Sequence, residues 1–263
     1  MDNYVDIRGL GRGRYGTARL VRKRTDGRLY AIKKIPFLED EDRMKALHEA
    51  EVLKRLSHQH VVAYMDSFEY EDAELGACLA IVCEYCEEGD LFKRVKHAAK
   101  TETPFDQEQI IHWFLQLLAG LDYVHKNRVL HRDLKTQNIF LGEGGILKIG
   151  DFGIATVLTT TRDCATTVTG TPYYMAPEVC THQPYTYKSD VWSMGCVLYE
   201  LCTLEHAFSA DNLLGLVWKI VNGQVSPRIP LRPSALCGCL RPRDAPRPEG
   251  LRALRRAMAH GVH

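Results

Sequence analysis

Over the first 86 residues, short apolar runs are separated by polar turns, the layout of strands. Arg19-Leu20-Val21-Arg22 and Leu29-Tyr30-Ala31-Ile32-Lys33 flank the turn Thr25-Asp26-Gly27-Arg28 and predict a β-hairpin. Residues 43–56 instead repeat apolar side chains at Met44, Leu47, Val52, Leu53 and Leu56, the spacing of an amphipathic helix. Residues 61–70 and 79–85 predict two more strands. Beyond Glu88-Gly89-Asp90 the period becomes helical. Residues 107–126 carry Ile110, Ile111, Phe114, Leu117, Leu118, Leu121 and Val124 as one broad stripe, and residues 190–202 are apolar almost all round, as a core helix is. The pattern predicts an α+β chain, with a sheet-rich lobe over residues 1–86 and a larger helical lobe over residues 87–228. No internal repeat is present.

The last stretch breaks the pattern. Residues 229–263 hold no Phe, Trp, Tyr or Lys but seven arginines and five prolines. Proline spacing in Leu240-Arg241-Pro242-Arg243-Asp244-Ala245-Pro246-Arg247-Pro248 excludes a regular helix there, and the stretch reads as a solvated tail. Only residues 250–258, with Leu251, Leu254 and Met258, suit a short amphipathic helix.

Composition narrows the function classes. The 263 residues are 45% hydrophobic and 25% charged with a net charge of +1, which gives no general attraction to nucleic acid or membrane. No run is long and apolar enough to cross a bilayer, the N-terminus lacks the layout of a secretory signal, and Asp2 occupies the position where myristoylation needs glycine. The nine cysteines are odd in number and lie in apolar contexts, so they read as small buried hydrophobes. Cys83-x-x-Cys86 and Cys237-Gly238-Cys239 do not make a four-ligand zinc set.

The chemistry-bearing strings are His131-Arg132-Asp133-Leu134-Lys135-Thr136-Gln137-Asn138 and, thirteen residues after Asn138, Asp151-Phe152-Gly153. Together they offer a carboxylate for a hydroxyl proton, a cation for a transferring phosphoryl group, and oxygen donors for magnesium. Gly11-Arg12-Gly13-Arg14-Tyr15-Gly16 adds a glycine loop able to approach phosphates through its backbone. By itself such a loop also suits a dinucleotide-binding oxidoreductase, but that motif leads into a helix, whereas a strand follows here. Lys33 is either a solvated edge lysine or, sharing with Ala31 a strand face that its flanks mark as the buried side, a phosphate ligand held by a carboxylate. Glu49 is the better partner because Leu53 shares its helical face; Glu51 points to solvent.

With Glu84-Tyr85-Cys86-Glu87-Glu88-Gly89-Asp90-Leu91, Gly170-Thr171-Pro172-Tyr173-Tyr174-Met175-Ala176-Pro177-Glu178 and Tyr187-Lys188-Ser189-Asp190-Val191-Trp192-Ser193-Met194-Gly195-Cys196, the chain resembles the eukaryotic protein kinases over residues 4 to about 228. Among them it is most similar to the NIMA-related (Nek) serine/threonine family. The resemblance implies a bilobal fold, with a small antiparallel sheet and one main helix in the N-lobe. It also implies ATP and Mg2+ as cofactors, and protein serine or threonine hydroxyls as acceptors. It makes Asp133 the residue that accepts or orients the hydroxyl proton, and Lys135 the cation that neutralises the γ-phosphoryl charge. Lys33, paired with Glu49, positions the α- and β-phosphates, and Asn138 and Asp151 hold magnesium. Gly11, Gly13, Gly16, Ala18, Ala31, Cys83, Glu84 and Cys86 surround the nucleotide, with Cys83 gating the space behind adenine. Leu53, Tyr64, His131 and Phe152 stack as a hydrophobic spine.

The same resemblance implies that Lys135 and Thr171 go with serine/threonine specificity and Ile154 with threonine as acceptor. Gln137 argues against a strict upstream arginine requirement. Thr167 matches an activating phosphorylation position, its phosphate pairing with Arg132. Cytoplasmic localisation with cytoskeletal, centrosomal or cell-cycle protein partners follows from the family alone. Nucleic acid and membrane are not implied, and the oligomeric state is left open.

Two departures qualify the resemblance. Ala18 stands where the pattern has valine, trimming the roof over adenine. After Asn222-Gly223-Gln224 the pattern normally continues through several helices to an arginine that pairs with the glutamate at Glu178. Here only Asp244-Ala245-Pro246-Arg247-Pro248 is offered. The expectation is an incomplete helical lobe, with Glu178 buried and unpaired. The rival to an active enzyme is a kinase-shaped module that binds ATP or partners with little turnover.

Overall fold

The computed structural model describes residues 1–13, 16–152 and 172–226. Its contacts group into two compact units. The first gathers Met1–Gly89, Ala119–His131 and the segment from Phe140 that carries Asp151. The second gathers Asp90–Leu118, Arg132–Ile139 and the later helices.

The first unit is built on a five-stranded sheet of β1 (Tyr4–Gly13), β2 (Gly16–Lys23), β3 (Leu29–Pro36), β4 (Tyr64–Asp72) and β5 (Gly76–Glu84). The strand order is β1-β2-β3-β5-β4, with every pair antiparallel. The expected hairpin is β2–β3, with Val21 opposite Tyr30. Tyr4, Val21, Tyr30, Ile32, Ala80 and Val82 form a buried cluster, in which Tyr4 stacks on Phe68 at 5.8 Å. Burying each such side chain contributes about 1.5–3 kcal/mol.

Helix α1 spans Asp40–Lys54, starting earlier than the apolar pattern suggests. Asp40, Glu41 and Asp42 fill its first turn, where carboxylates complement the helix dipole. β4 begins at Tyr64 rather than 61, because Val61 is engaged in a parallel bridge with Ile149 instead. β5 begins at Gly76, before the expected 79.

In the second unit, α2 (Leu91–Lys100) opens on Asp90, whose side chain accepts from the Lys93 amide at 2.8 Å. Helix α3 (Gln107–Lys126) has the bounds read from its apolar stripe, and its residues from Ala119 on are gathered with the first unit. A short turn at Thr136–Asn138 leads to the strand pair β6 (Ile139–Leu141) and β7 (Leu147–Ile149), which from Phe140 on also belongs to the first unit. Helices α4 (Pro177–Cys180), α5 (Tyr187–Thr203) and α6 (Leu213–Val221) complete the described chain. α5 starts at Tyr187 because Thr186 and Ser189 form a capping box there. Its Met194, Val197, Leu198 and Leu201 are buried as the pattern requires.

Glu178 corrects one expectation. It is half-buried rather than buried, and its Oε1 accepts the Ser189 hydroxyl at 2.6 Å. The charge therefore has both solvent and a donor, and the penalty for an orphaned buried carboxylate does not apply.

The described cysteines are free thiols. Burial pushes Cys83, Cys86, Cys196 and Cys202 up to about 12, so all four stay protonated at neutral pH. Among the described residues no helix is long and apolar enough to cross a membrane, and no group of three His, Cys, Asp or Glu is arranged to hold a metal ion by itself.

Candidate active site

In the first unit, strand register gathers several of the expected residues. Gly11 lies opposite Ala18, Ala18 opposite Lys33, and Ala31 opposite Cys83. Directly opposed residues point to the same face, as do residues two apart on one strand, so Ala18, Ala31, Lys33 and Cys83 share one face with Gly11 at its rim. This face is half-buried, whereas Tyr30 and Ile32 on the opposite face form the core. The sequence places Ala31 on the buried side; the structure places it on the other, for a simple reason. A surface meant for a ligand has to remain partly open.

The glycines differ in what they do. A Cβ on Gly16 would lie 2.0 Å from the Lys34 carbonyl oxygen, so the hairpin closes only on glycine. A Cβ on Gly11 would meet nothing within 4 Å, which is open space against backbone, as a phosphate-bearing ligand needs. Gly13 pairs with Gly16 at the end of β1.

Lys33 is clamped between two carboxylates. Its Nζ lies 3.0 Å from Glu49 Oε1 and 2.8 Å from Asp151 Oδ1. Burial alone would lower the ammonium group, but attraction to Glu49 and then to Asp151 outweighs it and holds Lys33 above its ordinary value. Glu49 is 1% exposed, and burial pushes its carboxyl up against the pull of Lys33. Glu51, two residues on, is exposed and pairs with Lys54. Gly150 sets up Asp151: a Cβ there would lie 2.7 Å from Val62, so no other residue fits before the carboxylate. Asp151 itself has φ 53°, a left-handed conformation costing about 1–3 kcal/mol in a non-glycine residue. His131 Nε2 donates to the Gly150 carbonyl at 3.0 Å, and its ring lies 4.8 Å from that of Phe152. Two of the four expected spine residues are thereby in contact.

The residues expected around adenine are engaged in the sheet. The Glu84 amide donates to the Ala63 carbonyl at 3.0 Å. Its carboxylate accepts from the Ala63 amide at 2.7 Å and from Lys148 at 2.8 Å. Cys86 follows the strand and is buried.

The second unit holds the Asp133 loop. Asp133 Oδ2 accepts from Lys135 Nζ at 2.7 Å and from Asn138 Nδ2 at 2.9 Å. Asn138 Nδ2 also donates to the Asp133 carbonyl at 2.7 Å. Both amide hydrogens of Asn138 are thus committed, and its carboxamide oxygen is the donor it can offer a cation. Arg132, before this loop, has φ 67°, and its amide donates to Asp190 Oδ1 at 3.0 Å. Asp190 is fully buried and also accepts the Tyr185 hydroxyl at 2.5 Å. The anchoring role of Asp190 was not foreseen, although a carboxylate opening an almost wholly apolar helix is a signal that it serves something inside. The Glu84–Lys148 pair had no such signal.

Asn138 and Asp151 supply neutral and anionic oxygen, the donor types that hard divalent cations prefer. Gly153, Ile154, Cys164, Thr167 and Thr171, with the other threonines of that segment, lie outside the described residues, as do residues 229–263.

Comparison with known proteins identifies the family. The profile of the protein kinase domain family matches residues 4–236. The chain is 47% identical over 232 residues to "Serine/threonine-protein kinase Nek1" of Mus musculus, covering 88% of this chain and 19% of that protein. It is 42% identical over 248 residues to "Serine/threonine-protein kinase Nek4" of Mus musculus, covering 94% of this chain and 31% of that protein. It is 43% identical over 234 residues to "Serine/threonine-protein kinase Nek11" of Homo sapiens, covering 87% of this chain and 35% of that protein. The chain therefore spans well under half the length of these relatives. A glycine-rimmed sheet face, a lysine clamped by two carboxylates, an Asp–Lys–Asn loop and a family profile covering most of the sequence converge, and the chain belongs to the protein kinase domain family.

Proposed function

We propose that this chain transfers the γ-phosphoryl group of ATP to a serine or threonine hydroxyl of a protein substrate, as a Nek-like kinase. The observation that carries the reading is the Lys33 clamp, because a solvated edge lysine would have no reason to meet both Glu49 at 3.0 Å and Asp151 at 2.8 Å. The protein kinase family uses ATP with a divalent cation. Magnesium would be held by Asn138 and Asp151, and its charge would neutralise the phosphate oxygens.

The protein's own groups then divide the work. Lys33, steadied by Glu49, binds the α- and β-phosphates. Gly11, Gly13 and Gly16 approach them with backbone amides, while Ala18, Ala31, Cys83, Glu84 and Cys86 border the base. Asp133 orients the acceptor hydroxyl and takes its proton as the new O–P bond forms and the bond from the γ-phosphorus to the bridging oxygen breaks, releasing ADP. Lys135 offsets the charge on the phosphoryl group in flight. The Nek similarity also supports a cytoplasmic protein with cytoskeletal or cell-cycle partners.

The test is ATP-dependent transfer to a generic basic protein substrate, with Asp133→Asn alongside. A fall in rate of about a hundredfold to ten-thousandfold in the variant, with the melting temperature retained, is the expected result. Equal incorporation by both proteins would exclude the mechanism. Stabilisation by ATP–Mg2+ without turnover would replace it with a binding module.

A further inference from the structure

We propose that Glu200 is a positioning residue for the Lys135–Asn138 loop, acting through Thr136 and Tyr174; this rests on the phosphotransfer reading above. Glu200 lies on α5 and is 2% exposed. Its Oε1 accepts the Thr136 hydroxyl at 3.3 Å, and its Oε2 accepts the Tyr174 hydroxyl. The Thr136 and Tyr174 hydroxyl oxygens also lie 3.0 Å from each other. Three side chains from three separate stretches of the chain therefore close a triangle of polar contacts in the interior of the second unit.

Among the described residues no lysine or arginine is within ion-pair distance of this carboxylate. The nearest basic group is His206 Nδ1, 3.7 Å from Oε2 and lacking a hydrogen-bond partner among the described residues. His206 is stacked on Tyr173 at 3.9 Å, so the ring is held beside the triangle rather than drawn into it. A buried carboxylate satisfied by two hydroxyls and no cation is a poor device for stability, since an apolar residue of similar volume serves as well or better. What it does supply is direction. Both hydroxyl protons are aimed at one fixed oxygen pair on the most buried helix of the unit.

The residue aimed this way matters because of its neighbours. Thr136 directly follows Lys135, whose ammonium group lies 2.7 Å from Asp133. It also opens the turn closed by the Asn138 amide on the Lys135 carbonyl at 3.0 Å. Fixing the Thr136 side chain to α5 fixes the turn from which Lys135 and Asn138 project. Tyr174 ties the same point to the stretch leading into α4. Glu200 touches neither nucleotide nor hydroxyl in this scheme and is not a catalytic residue.

The test uses Glu200→Leu, Glu200→Gln, Thr136→Val and the double variant Thr136→Val/Glu200→Leu in the full chain, beside the unmutated protein and Asp133→Asn. Amide hydrogen exchange over residues 135–138 and steady-state phosphotransfer are both read. Glu200→Leu is expected to exchange roughly tenfold faster at those amides and to lose roughly tenfold in kcat, with KM for ATP within about twofold and an unchanged or higher melting temperature. Glu200→Gln, which keeps an acceptor for Thr136, falls between. Because Glu200 acts through Thr136, the double variant is no slower than Glu200→Leu alone. Unchanged exchange in Glu200→Leu, or single-variant losses that multiply in the double, overturns the proposal. Should Glu200→Leu not fold, Glu200→Gln and Thr136→Val decide it by the same readouts. If the unmutated protein transfers no more phosphate than Asp133→Asn, the kinase reading fails, and the exchange data still decide whether Glu200 orders the loop.

Discussion

Lys33 and Asp133 are both charged groups that phosphoryl transfer needs, and they are held by different kinds of neighbour. Lys33 meets Glu49 from 16 residues away and Asp151 from 118 residues away, so its position depends on a strand, a helix and a later turn arriving together. Asp133 is held by Lys135 and Asn138, two and five residues away, within one short loop. The first arrangement is a long-range, half-buried charge cluster, and the second is a local knot. The local knot still needs an outside anchor, and Asp190 provides it by accepting the Arg132 amide, 58 residues distant. Both arrangements include a non-glycine residue at positive φ, Asp151 in one and Arg132 in the other. Backbone strain of that kind persists only where the surroundings overdetermine it.

Breaking the long-range cluster is expected to have the larger effect. Lys33→Met leaves Glu49 buried with no cation, and stability should fall by about 2–4 kcal/mol, below the upper range for buried pairs because Lys33 is partly exposed. Phosphotransfer should fall at least about a hundredfold. Lys33→Met/Glu49→Gln then sharpens the contrast: the melting temperature should largely return while activity does not. Return of both would mean that Lys33 serves folding alone.

Loosening the local knot from outside should do less. Asp190→Asn keeps an acceptor for the Arg132 amide but exchanges a charge-assisted bond for a neutral one, at a cost of about 1–2 kcal/mol. A chemical-denaturation midpoint lowered by that amount, with kcat reduced and KM for ATP unaltered, is the expected pattern. A raised KM for ATP instead would place Asp190 in nucleotide binding.

The smallest effect lies away from both arrangements. Asp72 in the first unit is held well below the ordinary carboxylate range by the Lys34 ammonium group, then by the Glu74 amide and the Tyr70 hydroxyl. A carboxyl depressed in the folded state stabilises above its unfolded value of 3.8 and loses that stabilisation as pH falls through and below it. Asp72→Asn should lower stability by about 1 kcal/mol at neutral pH, and the difference should vanish in acid. Urea midpoints from pH 7 down to strong acid test this; a difference that does not shrink as pH falls below 3.8 would refute it. Catalytic constants should stay put, since Asp72 meets none of the site residues.

Much of this was legible before any coordinates. The 3.6-residue stripe of residues 107–126 marks α3 to the residue, because a helix buried along a broad face has to repeat at that period. Glu49 was separable from Glu51 because residues two apart on a helix cannot share a face, and the structure buries one and exposes the other. Element ends were less legible. Strand β4 gave up Val61 to a bridge with Ile149, and α1 gained a turn of carboxylates that carries no apolar signal. The orientation of Ala31 was misread, since alternation within a strand reveals that two faces exist but not which one the core takes.

The order of residues along the chain determined the chemistry, through spacings short enough to act within one loop or one helix turn. Asp133, Lys135 and Asn138 needed no partner from elsewhere to find one another. Only the tertiary structure decided that Lys33 meets both Glu49 and Asp151, that Asp190 holds the Arg132 amide, and that Glu200 gathers Thr136 and Tyr174. Contacts across 16 to 118 residues depend on how strands register and helices pack, and a buried carboxylate looks in sequence like any other until its donors are known.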